Sequence, residues 1–261
     1  MQSISRFIKY TLASLFLISA PAHADLSDIL SNGIVKIAVP EAFAPFGSVG
    51  KTGEQEGYDV DVAKLIAKDL GVKLELVPVV SKQRIPFLET DRVDLVISTM
   101  GANPKRAKSI NFSSAYAPFY SGAFAASNVK VSEPADLDGL KVGVTQGTLE
   151  DLEITKTAPK GAKITRFGDN AATLSAFKSG QVDVLVAGNT AAAALASNNP
   201  SLDIVRKFII KDSPCFIGVK KGNEDLLRWV NVFILHKKLG GDLNKISQKW
   251  LGQDLPPLPS L

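Results

Sequence analysis

Short β-rich runs alternate with helical ones along most of the chain. Residues 34–39 (IVKIAV) read as a strand. Residues 60–70 place Val62, Leu65, Ile66 and Leu70 on one helical face. Residues 72–77 read as a strand, 83–88 as a short helix and 93–97 as another strand. This alternation predicts parallel sheets covered by helices, an α/β architecture.

The pattern then repeats. Residues 139–144 (GLKVGV) resemble residues 33–39 in form, and residues 85–99 (IPFLETDRVDLVIST) resemble residues 174–188 (LSAFKSGQVDVLVAG). Each of the two longer units has an apolar helix end, a turn, and then Val-Asp before three apolar residues. Asp94 and Asp183 hold equivalent places, so two similar α/β lobes are expected. The tail departs from this series: a short strand at 216–219 precedes amphipathic helices at 226–239 and 243–250, and the Pro-rich last ten residues read as an extended strap or a loose end. Leftover helices suit a chain that returns to its first lobe. The expected organisation is lobe I from 26–117 plus 217–261 and lobe II from 122–212. Two hinge strands near 118–121 and 213–216 join them, with a ligand cleft between the lobes.

Charge comes next, because it decides between partner classes. The chain has 261 residues, 30 basic against 26 acidic, for a net +4. Arg6 and Lys9 precede a mainly apolar run at 10–20, then Pro21 and the small-x-small pattern Ala22-His23-Ala24. This reads as a secretory signal peptide over residues 1–24, directing export of the product; the run is too short for a membrane span. Without it, 28 basic residues face 26 acidic ones. They are scattered and lack aromatic interleaving, so nucleic acid is not an expected partner. Cys215 is the sole cysteine and reads as a small buried residue. With one histidine, His236, beyond the signal segment, neither a Cys/His metal site nor a catalytic triad is suggested. No cofactor and no metal are expected, and the product reads as a monomer.

Several motifs remain. PFGSVGKT (45–52) lacks the first glycine of a phosphate-binding loop and reads as part of a polar hairpin over 47–57. Asp59 reads as a helix N-cap, with Asp61 in the first turn. Ser98 and Thr99 sit just past an apolar strand, and Arg106 follows on a short helix capped by Asn103. Strand C-termini face the crevice in such sheets, and a guanidinium there suits a carboxylate. Residues 144–148 (VTQGT) read either as a plain tight turn or as a strand, a turn and a helix start whose free N–H groups suit an anion in lobe II. Phe43, Pro45 and Phe46 follow the first strand at the same crevice edge.

Residues 57–71 (GYDVDVAKLIAKDLG), the RVDLVIST segment with its Arg, and VGVTQGT resemble the periplasmic polar-amino-acid-binding proteins of ABC importers, solute-binding protein family 3. The resemblance spans the chain beyond the signal segment. It implies the two-lobed, type II periplasmic-binding-protein-like fold and delivery of a bound amino acid or related small carboxylate to permease membrane subunits. It implies that Arg106 binds the ligand carboxylate and that Phe43 covers the ligand. Ser98, Thr99 and Gly101 contact it from lobe I, Gly147 and Thr148 from lobe II. The resemblance also implies an ammonium-binding Asp at the end of the lobe II strand, where this chain has Gly188 followed by Asn189. Either another acid compensates, with Glu41, Glu150 and Asp212 as candidates, or the ligand is not a standard α-amino acid. Two alternatives on the same scaffold are a cyclohexadienyl-dehydratase-like enzyme and a ligand-sensing module. No acid/base constellation stands out, so catalysis is not the expected role.

Overall fold

A computed structural model describes residues 26–259. Helix α1 (Leu26–Asn32) leads into β1 (Ile34–Pro40), followed by a ribbon of β2 (Ser48–Val49) and β3 (Gln55–Glu56). Helix α2 (Tyr58–Leu70), β4 (Lys73–Val79), α3 (Arg84–Glu89), β5 (Leu95–Met100) and β6 (Ile110–Ala117) come next. The middle of the chain holds β7 (Tyr120–Ala126), β8 (Lys141–Thr145), α4 (Leu149–Thr157), β9 (Lys163–Phe167), α5 (Asn170–Lys178), β10 (Val184–Gly188), α6 (Asn189–Asn198) and β11 (Ile204–Asp212). The chain then forms β12 (Cys215–Lys220), α7 (Glu224–Leu239) and α8 (Asp242–Leu251). The signal segment expected at residues 1–24 lies outside the described residues.

The strands form two five-stranded sheets, ordered β4-β1-β5-β12-β6 and β11-β7-β10-β8-β9. In the first, β1 runs parallel to β4 and β5, while β12 is antiparallel to both its neighbours. In the second, β8 runs parallel to β9 and β10, and β7 is antiparallel to β10 and β11. The chain passes from the first sheet to the second after Ala117 and returns after Asp212. These are two α/β lobes, each with a parallel portion whose central strands are buried on both faces.

The last two helices pack on the first lobe. Leu226, Val230, Phe233 and Ile234 of α7 join the core built by β1, β5 and α2. Lys249 and Trp250 of α8 donate to the Asp61 carboxylate of α2 at 2.6 and 2.8 Å. The tail beyond Leu251 has no regular structure, and Leu255 and Leu258 pack against the two apolar clusters of this lobe.

The repeated Val-Asp unit does the same job twice. The Asp94 carboxylate accepts from the Lys36 amide at 2.7 Å, and the Asp94 amide donates to the Lys36 carbonyl at 2.8 Å. In the second lobe, Asp183 and Lys141 make the same reciprocal pair, both bonds at 2.8 Å. Each Asp thereby ties the turn before its strand to the start of the lobe's first parallel strand. An amide–carboxylate bond of this kind contributes about 1–2 kcal/mol. Alanine at either position should lower unfolding free energy by that amount in urea titrations and leave ligand affinity unchanged, since both lie at the strand ends away from the cleft.

Candidate functional site

The C-terminal ends of the parallel strands of both lobes converge on one cleft. From the first lobe it receives Glu41, Ala42 and Phe43 after β1, Ser81 and Arg84 after β4, and Ser98, Thr99, Gly101 and Arg106 at and beyond the end of β5. From the second come Thr148, Leu149 and Glu150 after β8, and Asp169 and Asn170 after β9. The hinge contributes Phe119 and Ser213. The walls meet closely and leave a cavity of about 40 Å³.

Arg106 joins the two walls. Its backbone amide donates to the Asn103 side chain at 2.8 Å, which fixes the short 3₁₀ turn Arg106–Lys108. Arg106 is 7% exposed. It donates to the Gly101 carbonyl at 2.7 Å in its own lobe and to the Gly147 carbonyl at 2.9 Å in the other. Burial lowers its pKa, and the nearby Glu150 charge opposes that shift. Arg84 is buried beside it and donates to the carbonyls of Ser81, Ser98 and Thr99. Burial pulls its pKa down to about 9, so it is still cationic at neutral pH.

Asp59 differs from the N-cap expectation. The cap position is Gly57, with no side-chain cap bond. The first amides of α2 are taken by the hairpin instead: Tyr58 donates to the Pro45 carbonyl and Asp59 to the Phe46 carbonyl, both at 2.9 Å. Gly57 permits this approach, because a Cβ there would lie 2.2 Å from the Phe46 oxygen. The Asp59 side chain is thus released from capping and points into the core, fully buried. Its Oδ2 accepts from the amide and hydroxyl of Thr99 at 2.8 and 2.9 Å, and its Oδ1 from the Tyr116 hydroxyl at 2.6 Å. Thr99 has a φ of 46°, a left-handed conformation unfavourable for a β-branched residue. Asp59 holds it there, and its hydroxyl is turned to Asp59 rather than left free for a ligand.

Lobe II carries a similar local device. The Thr148 hydroxyl oxygen caps α4 by accepting from the Asp151 amide at 3.1 Å. The Gly147 amide donates to the Asp151 carboxylate, also at 3.1 Å, so the amide expected to serve a ligand is engaged within the loop. Gly147 faces the cleft partner through its carbonyl.

Residues 35–253 match the sequence model of the bacterial extracellular solute-binding proteins, family 3. The chain belongs to that family. The ABC transporter glutamine-binding protein GlnH of Bacillus subtilis is 32% identical over 207 residues, which span 78% of this chain and 75% of that protein. The solute receptor for L-cysteine of Neisseria gonorrhoeae superposes with a TM-score of 0.81 at 31% identity, covering 87% of this chain and 94% of the receptor. The ancestral amino acid-binding protein AncCDT-1, a precursor of cyclohexadienyl dehydratase, gives a TM-score of 0.78 at 31% identity over 86% of this chain and 98% of its own. The architecture is that of the type II periplasmic binding proteins.

Within this family 3 cleft, the structure gathers Phe43, Ser98, Thr99, Gly101, Arg106 and Thr148, with Gly147 at its edge. Gly188 and Asn189 are not among the lining residues. A Cβ on Gly188 would lie 2.1 Å from the Phe119 ring, which fills the space in front of the β10 terminus. The Asn189 side chain turns to the hinge and accepts from the Tyr120 amide at 3.2 Å. Phe119 in turn stands edge-on to Phe43 and Phe46 at 6.2 and 5.8 Å. Phe46 is fully buried, so of the loop aromatics it is Phe43 that faces the cleft. Cys215 is buried, with burial pushing its thiol pKa up, as suits an inert core residue. Phe119 and Ser213 lie in the two expected hinges, whereas Asp169 and Asn170 belong to no motif read in the sequence. Asp169 and Asn170 follow a strand of the second lobe, and strand-end position was the one signal available for them.

Proposed function

We propose that the protein captures a small amino acid or related carboxylate in the periplasm by closing its two lobes, and delivers it to the membrane permease of an ABC importer. One observation carries this reading most directly. A single buried guanidinium, Arg106, bonds to both walls of the cleft. A carboxylate there meets a forked donor from lobe I, while the same side chain links lobe I to Gly147. Binding and closure are then one equilibrium: ligand contacts from both walls favour the closed population. The family's membership and the binding roles named for its relatives support capture rather than catalysis.

A thermal-shift screen of the purified protein tests the reading. A ligand that binds only the folded state raises its melting temperature, by about 2.7 kcal/mol of added stability at a hundredfold excess over Kd. At least one member of a panel of the twenty proteinogenic L-amino acids, L-cystine and small carboxylates should do so. Silence from the whole panel, or conversion of prephenate or arogenate to an aromatic product, would overturn the proposal.

A further inference from the structure

We propose that two copies of the chain pair through helix α7, the helices antiparallel across a two-fold axis, in a dimer that leaves both clefts free. The second copy takes the place of the monomer expected from the sequence.

Helix α7 buries Leu226, Val230, Phe233 and Ile234 against the first lobe. The opposite face of such a helix is ordinarily polar. Here it carries Val232 at 61% exposure, Leu235 at 58% and Leu239 at 81%, with Leu30 of α1 alongside at 50%. The other exposed large apolar side chains among the described residues, Ile34, Val49, Val205 and Ile209, sit on strands. Val232 and Arg228 form a ridge between two shallow grooves. One groove is lined by Leu26, Leu30, Asp225 and Trp229. The other is lined by Glu224, Leu227, Asn231 and Leu235. A ridge with a groove on each flank can interdigitate with its own copy.

Charge selects that occupant and its direction. Glu224 and Asp225 open α7, and His236, Lys237 and Lys238 close it. Lys237 is already engaged by Asp69 and Asp242. At 3.6 residues per turn, Glu224 and Lys238 fall on the flank of the Leu235 groove, and Asp225 and His236 on the other flank. A two-fold axis near Asn231 lays each flank against the same flank of the partner, reversed in direction. Glu224 then faces Lys238 of the partner subunit, and Asp225 faces His236 of the partner subunit. The helix dipoles also run opposed, which is their favourable arrangement. A parallel pairing would set like charge against like. Lys238 is only half exposed, and burial lowers its pKa with no acid opposing the shift. Among the described residues Asp225, Arg228 and Lys238 make no ion pair, so a carboxylate supplied by a second copy meets an open partner. Arg228 keeps its charged head at the rim, with its apolar stem along the seam.

None of these residues lines the cleft. Helix α7 packs on β6, the outer strand of the first sheet, so each copy can open and close on its own. A helix of 16 residues is about 24 Å long. One such strip with its two grooves lies at the small end of specific interfaces, about 1,200 Å² in total. A dissociation constant of about 1–100 μM is expected.

Sedimentation equilibrium of the purified protein, from well below to well above that range, should show a monomer–dimer equilibrium. Val232→Glu and Leu235→Glu change exposed positions and should each weaken it about 30-fold or more. Both should keep the melting temperature of the monomeric wild type and its thermal shifts with the ligand panel. Glu224→Lys and Lys238→Glu should each weaken the dimer about 5-fold or more, and the two combined should restore it to within about 3-fold of the wild type. A chain that stays monomeric throughout would overturn the proposal. So would a dimer that Val232→Glu and Leu235→Glu leave intact, since the contact would then lie elsewhere. A dimer weakened by both single charge reversals and not restored by their combination would overturn the antiparallel arrangement.

Discussion

Arg106→Ala should weaken binding of the cognate ligand by about 30-fold to more than a thousand-fold, the equivalent of about 2–5 kcal/mol. Two losses combine in this substitution. The ligand carboxylate loses a desolvated, forked donor and is left without its counter-charge. The cleft also loses a side chain that bonds to a carbonyl in each wall, Gly101 at 2.7 Å and Gly147 at 2.9 Å. Arg106→Lys should recover a minor part of the affinity: an ammonium keeps the charge but lacks the planar fork that bonds two acceptors at fixed angles. Titration calorimetry with the strongest ligand from the thermal-shift panel measures both variants. Wild-type affinity in Arg106→Ala would remove Arg106 from the site.

How far the place of each of these residues in the fold was legible follows from the range of the interactions involved. Arg106 lies a few residues beyond a strand end, and Asn103 beside it is a local capping signal. The Asp94 and Asp183 units are equally local, since each sits one residue before its strand and ties the turn to the sheet. The alternation of apolar runs likewise reflects which faces each element buries, so both lobes and the return of α7 and α8 to the first were legible. Asp59 was misread because its helix is capped from a distance in sequence, by the carbonyls of Pro45 and Phe46. Position alone could not tell a capping carboxylate from a buried one. Gly188 and Asn189 stand apart from the cleft for a related reason. Phe119, from another segment, occupies the space in front of β10, and no pattern near residue 188 encodes that. Arg84 sits in a six-residue helix where its charge looks superficial; the bonds that bury it run to Ser98 and Thr99, contacts that exist only after folding.

Asp59→Asn should make the protein more stable than the wild type above neutral pH and erase a pH dependence that the wild type shows. Burial pushes the folded Asp59 carboxyl up from 3.8 to about 7. The hydrogen bonds from Tyr116 and Thr99, and the Arg84 charge, oppose that shift without cancelling it. The titratable and charged groups that face it are Arg84, Tyr58, Tyr116 and Cys215; Tyr58, Tyr116 and Cys215 are each pushed upward, chiefly by burial. Between pH 4 and pH 7 the folded state therefore holds a proton on Asp59 that the unfolded chain has released. Stability falls as pH rises through this window and levels off above it, by an amount on the order of 4 kcal/mol. An asparagine keeps the geometry: its oxygen accepts from Thr99 as Oδ2 does, and its amide donates to the Tyr116 oxygen. It carries no buried charge, so it avoids the fall. Asp59→Ala is the necessary contrast. It leaves the Thr99 amide and the Tyr116 hydroxyl buried without partners and frees Thr99 from its left-handed conformation, at about 3–5 kcal/mol. Urea unfolding of the three proteins at pH 5 and pH 8 separates the cases. The same change in stability between the two pH values in the wild type and in Asp59→Asn would show that Asp59 does not titrate in this range. A ligand affinity in Asp59→Ala equal to that of Asp59→Asn would show that the hold on Thr99 plays no part in shaping the cleft.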